Sequence, residues 1–148
     1  MDEDAFRPGT PEVQLHDEAT VLMAGGALKN KRGQVHLTND RLFFTDQRFD
    51  PGGATGAGGV LAGALAGALE KLRKEHPPMV EFPVTDITRV SHVVKLTVRD
   101  IIVVETAAGE NRFANGFKVL SPLLRRVLAE RHGRSVVEDG TDAWRVTG

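Results

Sequence analysis

The stretch 33–44, Gly-Gln-Val-His-Leu-Thr-Asn-Asp-Arg-Leu-Phe-Phe, constrains the fold of this chain more than any other. Val35 and Leu37 alternate with polar residues, which is the two-residue period of a strand with one buried face. Asn39 and Asp40 follow, and both residue types favour tight turns because their side chains bind nearby main-chain groups. The sequence therefore predicts a β-hairpin, which needs further strands or a helix against it to be stable in water.

The composition is that of one ordinary globular domain. The chain has 148 residues, of which 41% are hydrophobic and 26% are charged, and this length is enough to bury a core. The net charge is −1 and the aromatic residues are seven Phe, one Trp and no Tyr. Neither a basic field nor a set of stacking aromatics is present, so we expect no nucleic-acid partner.

Cysteine is missing from the sequence, which excludes disulfides, thiolate metal sites and thiol catalysis, and fits a reducing, cytoplasmic location. The acidic start, Met-Asp-Glu-Asp, is unlike a secretory signal. No apolar run reaches the roughly 18–20 residues of a membrane-spanning helix. We therefore expect a cytoplasmic protein, with peripheral association with a membrane as the open alternative.

Proline, glycine and charge divide the chain into segments. Residues 1–17 are predicted to be a flexible N-terminal arm, 18–133 a domain, and 134–148 a tail whose single tryptophan, Trp144, packs back on the body. Residues 50–78 begin with a glycine-rich linker and end at two prolines, and they are predicted to be a helical insertion.

The remaining segments predict strands and a closing helix. Ser121 is the expected N-cap of that helix, with Pro122 in its first turn and Gly133 at its end. Outside the hairpin, strands are predicted at 20–28, 79–84, 87–94, 96–106 and 111–114, and the helix at 121–132.

Three stretches in the same order resemble the GRAM domain family. Residues 33–44 are similar to its G-x-L-x-L-T-N-x-R-L-x-F core, 82–90 (Phe-Pro-Val-Thr-Asp-Ile-Thr-Arg-Val) to its I-P-L-x-D-I-x-x-V strand, and 102–113 to its last hairpin. The resemblance implies a pleckstrin-homology-like fold. In that fold about seven antiparallel strands form a bent sandwich or partly open barrel, capped by a C-terminal helix. It also implies a non-enzymatic binding module for membrane lipids or partner proteins, with the inserted helix as a departure from the family.

The inserted helix, predicted over 59–75, is apolar on all sides in its first three turns. Glycine recurs every four residues on one side and leucine lies opposite, as a Gly-x-x-x-Gly stripe for close helix contact requires. The candidate association residues are Gly59, Leu61, Gly63, Leu65, Gly67 and Leu69. Packing on its own sheet, association with itself or a partner, and contact with a membrane surface all remain open.

A basic loop before the hairpin is the second candidate site. Lys29, Lys31 and Arg32 lie between the first two predicted strands, where related pleckstrin-homology domains often bind phosphoinositide headgroups. Lysine and arginine suit phosphate as a point charge and a two-pronged donor, respectively. The plainer interpretation is a solvated turn.

Other chemistry has little support in the sequence. The five histidines are scattered and none has metal-ligand spacing, so no metal is expected. Gly56 and Gly58 precede a helix, but position 61 is Leu where a dinucleotide motif needs a third glycine, so no cofactor is expected. The function predicted is a non-catalytic interaction module that associates with itself or with a protein partner through the 59–75 helix. Binding of anionic lipid headgroups at 29–32 is the alternative.

Overall fold

The computed structural model describes residues 3–23, 31–46, 78–94 and 100–148, and strands dominate these ranges. In chain order the strands are β1 (Gln14–Leu22), β2 (Lys31–Thr38), β3 (Arg41–Asp46), β4 (Val80–Pro83), β5 (Ile87–Val93), β6 (Ile101–Thr106), β7 (Gly109–Phe113), β8 (Val136–Glu138) and β9 (Ala143–Val146). One α-helix is described, α1 (Phe117–Arg126), and a π-helical turn, Val127–Arg131, continues it. Short 3-10 turns lie at Glu3–Phe6 and Val84–Asp86.

All nine described strands belong to one open antiparallel sheet, in the order β4-β3-β2-β1-β7-β6-β5-β9-β8. The predicted seven-stranded sandwich or partly open barrel with an inserted helix is therefore wrong. The two additional strands, β8 and β9, extend the sheet beyond β5. The helix predicted over 59–75 lies outside the described residues.

The hairpin predicted at 33–44 is confirmed. β2 and β3 pair from Gly33 opposite Asp46 to Leu37 opposite Leu42, and Asn39 and Asp40 form the two-residue turn. Val35 and Leu37 face the core with no exposed surface, as the alternating pattern predicts.

The first strand lies earlier in the sequence than predicted. β1 runs from Gln14 to Leu22, whereas the predicted strand was 20–28. The prediction missed the first part of β1 because its inward residues include His16, Glu18 and Thr20, which do not form an apolar period. The segment 3–13, within the predicted arm, contains a 3-10 turn whose Ala5 and Phe6 are buried.

The closing helix begins four residues earlier than predicted. Gly116 is its N-cap, so Ser121 and Pro122 lie inside the helix. Leu124 and Leu128 are buried, and Gly133, with φ +64°, follows the last turn as predicted. Within the described ranges, no helix has the length and apolar character to cross a membrane.

The C-terminal residues return to the body of the protein, as expected for Trp144. Trp144 is 3% exposed on β9, opposite Val90 of β5, and its indole N–H donates to the Ser121 hydroxyl at 2.8 Å. The segment predicted as a tail therefore contains two paired strands that pack under α1.

The main core lies between one face of the sheet, α1 and the N-terminal turn. Its largest buried side chains include Phe6, Leu37, Phe44, Phe113, Leu120 and Leu124. Burial of one such side chain contributes about 1.5–3 kcal/mol. Phe43 and Val103 are also buried, although they lie outside this cluster, so both faces of the sheet carry buried apolar residues.

Candidate functional site

The predicted basic loop is described only at its end. Lys31 and Arg32 are the first residues of β2, are exposed, and lie opposite Leu22 and Val21 of β1. Lys29 lies outside the described residues. The structure thus places two adjacent, exposed cations at one end of the β1–β2 pair.

The predicted association surface falls entirely outside the described residues. It consists of Gly59, Leu61, Gly63, Leu65, Gly67 and Leu69. Association through these residues therefore stays a prediction.

The β2–β3 turn holds the N-terminal segment. Asn39 is fully buried, and its side-chain amide donates to the carbonyl oxygens of Ala5 at 2.8 Å and Pro11 at 3.1 Å. Its side-chain oxygen accepts a hydrogen bond from the main-chain N–H of Val13 at 3.0 Å. Buried polar groups are costly unless bonded, so these contacts fix the path of residues 5–13.

Charged residues complete the same attachment. The Arg131 guanidinium donates to both carboxylate oxygens of Asp40, at 2.8 and 3.1 Å, and to the hydroxyl and carbonyl of Thr10. Arg41 binds Glu12 through two nitrogens. We call Glu12, Asn39, Asp40, Arg41 and Arg131 the arm network. Because these side chains bind one another and the N-terminal segment, the hairpin turn has a structural role.

His36 is part of a buried polar cluster on the opposite face of the sheet from the main core. Its Nδ1 lies 3.0 Å from the side-chain oxygen of Gln14, its Nε2 lies 3.2 Å from the Thr45 hydroxyl, and its ring stacks on Phe43. A neutral ring protonated on Nδ1 satisfies both contacts. Burial lowers the pKa of His36 to about 4, because the charged form loses its solvation.

His92 lies between two carboxylates. Its Nε2 is 3.2 Å from Asp100, its Nδ1 is 3.6 Å from Asp142, and its ring stacks on Phe117 at the start of α1. In the described part of the chain no group of three or more His, Asp or Glu side chains is arranged to hold a metal ion. This cluster therefore ties β5 to the β8–β9 turn and α1.

The N-terminus of α1 already has an acidic neighbour. A Cβ at Gly116, whose φ is +111°, would lie 3.0 Å from a carboxylate oxygen of Glu18. That carboxylate is also 2.9 Å from His16 Nε2. An anion near the positive end of a helix is favourable, so the charge of Glu18 stabilises the start of α1.

An open groove separates β4 from the turn between β6 and β7. One wall is formed by residues 79–83 with Thr85, Asp86 and Thr88, and the other by residues 106–111. The groove has a volume of about 760 Å³. β4 is the terminal strand of the described sheet, so the groove runs beside a strand edge. We call it the β4 groove.

The sequence predicted the elements that form the β4 groove but not the groove itself. It predicted the strand at 79–84 and the turn at 107–110, which are separated by more than twenty residues. They come together because β4 leads through the Val84–Asp86 turn into β5, which pairs with β6. Met79, just before the edge strand β4, is 48% exposed, and this exposed apolar side chain is a local signal of a contact surface.

No family model matches this chain, and no curated protein matches it. Among solved structures, the C-terminal domain of an unknown protein from Leishmania infantum is similar, with 20% sequence identity and a TM-score of 0.46. The similarity covers 79% of this chain and 85% of that one. At this level it carries no argument about function, and the resemblance to GRAM domains stays a prediction.

Proposed function

We propose that this protein is a non-enzymatic interaction module that binds a segment of a partner protein in the β4 groove. The observation that carries the proposal is the groove itself, which has a volume of about 760 Å³ and opens to solvent. Sites for small ligands have volumes of roughly 300–1,000 Å³, so the groove has room for several side chains of a partner.

The groove combines an apolar floor with an accessible edge. Phe82, 8% exposed, lies on the floor, while Met79 is 48% exposed. Methionine is common on surfaces that adapt to different partners because its side chain is flexible and polarizable. These features favour contact with another chain over a purely structural role.

Three of the four histidines in the described ranges support a non-catalytic role. His36 and His132 are bonded to structural partners, Gln14 and the Asn39 carbonyl, and His92 lies between two carboxylates. A general base must reach a proton on its substrate. These rings instead contact the scaffold.

Two other binding modes have less support. Association through the 59–75 helix rests on the sequence pattern alone. Lipid binding rests on Lys31 and Arg32, which are exposed, but the net charge of −1 provides no long-range attraction to an anionic membrane. The β4 groove is therefore the surface we propose.

Selection from an unbiased dodecapeptide phage library tests the proposal. We expect peptides that bind the natural protein and lose binding to Ala108→Trp, which places a large side chain at the groove wall. Val119→Trp is the matched control, because Val119 lies on α1 and is 44% exposed.

Binding is measured by fluorescence anisotropy of each synthesised peptide with the three proteins, after circular dichroism confirms that they are folded. Peptides that bind the control but not Ala108→Trp support the groove. A selection in which every binder treats the two tryptophan variants alike would overturn the proposal.

A further inference from the structure

The charged residues that line the β4 groove have one sign. Among the described residues that line the groove, the charged ones are Glu81, Asp86 and Glu110, and none is Lys, Arg or His. All three carboxylate residues are exposed. The chain as a whole has 19 basic and 20 acidic residues, so this segregation is local and not a property of the overall composition.

Compensation of the charges of Asp86 and Glu110 is weak. Arg112 Nε lies 3.2 Å from a Glu110 carboxylate oxygen, with side chains 34% and 49% exposed, and such a surface pair contributes about 0–1 kcal/mol. Within the described ranges Asp86 has no ion-pair partner. Glu110 also lies directly opposite Glu105 across the β6–β7 pair, so two like charges are neighbours there.

The apolar floor and the acidic walls together define the ligand. An extended chain points successive side chains to opposite sides. A segment that alternates apolar and basic residues would place the first set over Phe82 and the second toward the opening of the groove, where long Lys or Arg side chains reach the exposed carboxylates. A negatively charged segment would face repulsion from both walls.

We infer that the β4 groove binds an extended, basic segment of a partner protein, in which Lys or Arg alternates with apolar residues. This inference rests on the proposed function and adds the chemical class of the partner. Charge complementarity across the groove supplies selection against acidic partners, and the apolar floor supplies contact area.

Three labelled octapeptides test the charge requirement. They alternate valine with arginine, with serine or with glutamate, and fluorescence anisotropy at low salt measures their affinity. We expect the arginine peptide to bind about tenfold more tightly than the serine peptide, and the glutamate peptide not to bind. Added salt should weaken the arginine complex.

Two double variants of equal charge locate the effect. Asp86→Lys with Glu110→Lys reverses the groove walls, and Glu130→Lys with Glu138→Lys makes the same change on exposed residues outside the groove. The groove variant should lose at least about tenfold in affinity for the arginine peptide, while the control keeps most of it. Equal losses in both variants would overturn the inference.

The outcomes also separate this inference from the proposed function. If the serine or glutamate peptide binds as well as the arginine peptide and Ala108→Trp abolishes that binding, the groove is a binding site and the basic class is wrong. If neither the octapeptides nor the library yields binding sensitive to Ala108→Trp, the proposed function fails first.

Discussion

The close approach of strand β3 explains why the hairpin motif begins with a glycine, Gly33. A Cβ at this position would clash with the main-chain oxygen of Thr45 and lie 2.7 Å from the Phe44 ring. The neighbouring strand β3 therefore approaches as closely as glycine allows. The alternating pattern of the sequence predicts the strand. The need for glycine at this position comes from Phe44 and Thr45, which lie eleven or more residues away in the sequence.

His36 makes stability depend on pH. Its pKa falls from 6.5 unfolded to about 4 folded because the ring is buried, so below pH 6.5 the unfolded chain binds a proton that the folded protein does not. The stabilisation is complete above pH 6.5 and declines as the pH falls to about 4. Between pH 7.5 and 5 the free energy of unfolding should drop by up to about 2 kcal/mol from this residue.

Urea unfolding at both pH values measures the effect in the natural protein and in His36→Gln. The variant should show a drop smaller by up to about 2 kcal/mol, because glutamine does not titrate. His16→Gln is the control, since His16 is only half-buried. An unchanged pH dependence in His36→Gln would show that folding does not lower the pKa of His36.

At the scale of elements, β8 and β9 were the part of the fold hidden from the sequence. They have three and four residues, too few for a period to be visible, and their place beside β5 depends on contacts distant in sequence. Arg89 of β5 donates to Asp139 at 2.8 Å and to Glu105 at 3.1 Å. Both hydrogen bonds raise the pKa of Arg89, and the bond to Asp139 has the larger effect.

The start of α1 also differs from the prediction because of a contact that is distant in sequence. Ser121-Pro122 is a good local signal for a helix N-terminus, but the Ser121 hydroxyl accepts the indole N–H of Trp144. Tertiary contact therefore decides the role of this serine. Hairpins with strong local periods, such as 33–44, are predictable for the opposite reason.

A double-mutant cycle tests the link between α1 and β9. Ser121→Ala leaves the buried indole N–H without its acceptor and should lower the free energy of unfolding by about 1–2 kcal/mol. In a Trp144→Phe background, where no N–H is present, the same change should cost about 0.5 kcal/mol or less. Chemical denaturation measures all four proteins, and equal costs in both backgrounds would refute the link.

At the scale of the whole molecule, the β2–β3 turn connects the N-terminal segment to the end of the closing helix. The arm network joins residues 5–13 to this turn, and Arg131 joins the end of the closing helix to the same turn. The sequence predicted the turn but not its partners, because Pro8, Gly9 and Pro11 gave the N-terminal segment the composition of a loop.

Asn39→Ala should release the N-terminal segment. The change leaves the carbonyl oxygens of Ala5 and Pro11 and the N–H of Val13 without their partner, and the free energy of unfolding should fall by about 2–4 kcal/mol. Hydrogen exchange of the Val13 amide should become at least about tenfold faster.

Asn115→Ala provides the comparison for this experiment, since Asn115 is exposed and the bond that holds it is made by its main-chain N–H to Thr20. We expect its unfolding free energy to change by less than about 0.5 kcal/mol. If both alanine variants protect the Val13 amide as the natural protein does, Asn39 does not hold the segment.

The bond between Arg131 and Thr10 spans 121 positions of the chain, which has a consequence during synthesis. Ribosomes add about 5–20 residues per second, so residue 10 emerges several seconds or more before its partner exists. Phe6 therefore waits without the ring contact that Arg126 makes with it at 3.9 Å. This N-terminal segment is therefore made well before the residues that hold it in place, and the nascent chain exposes Phe6 for that interval.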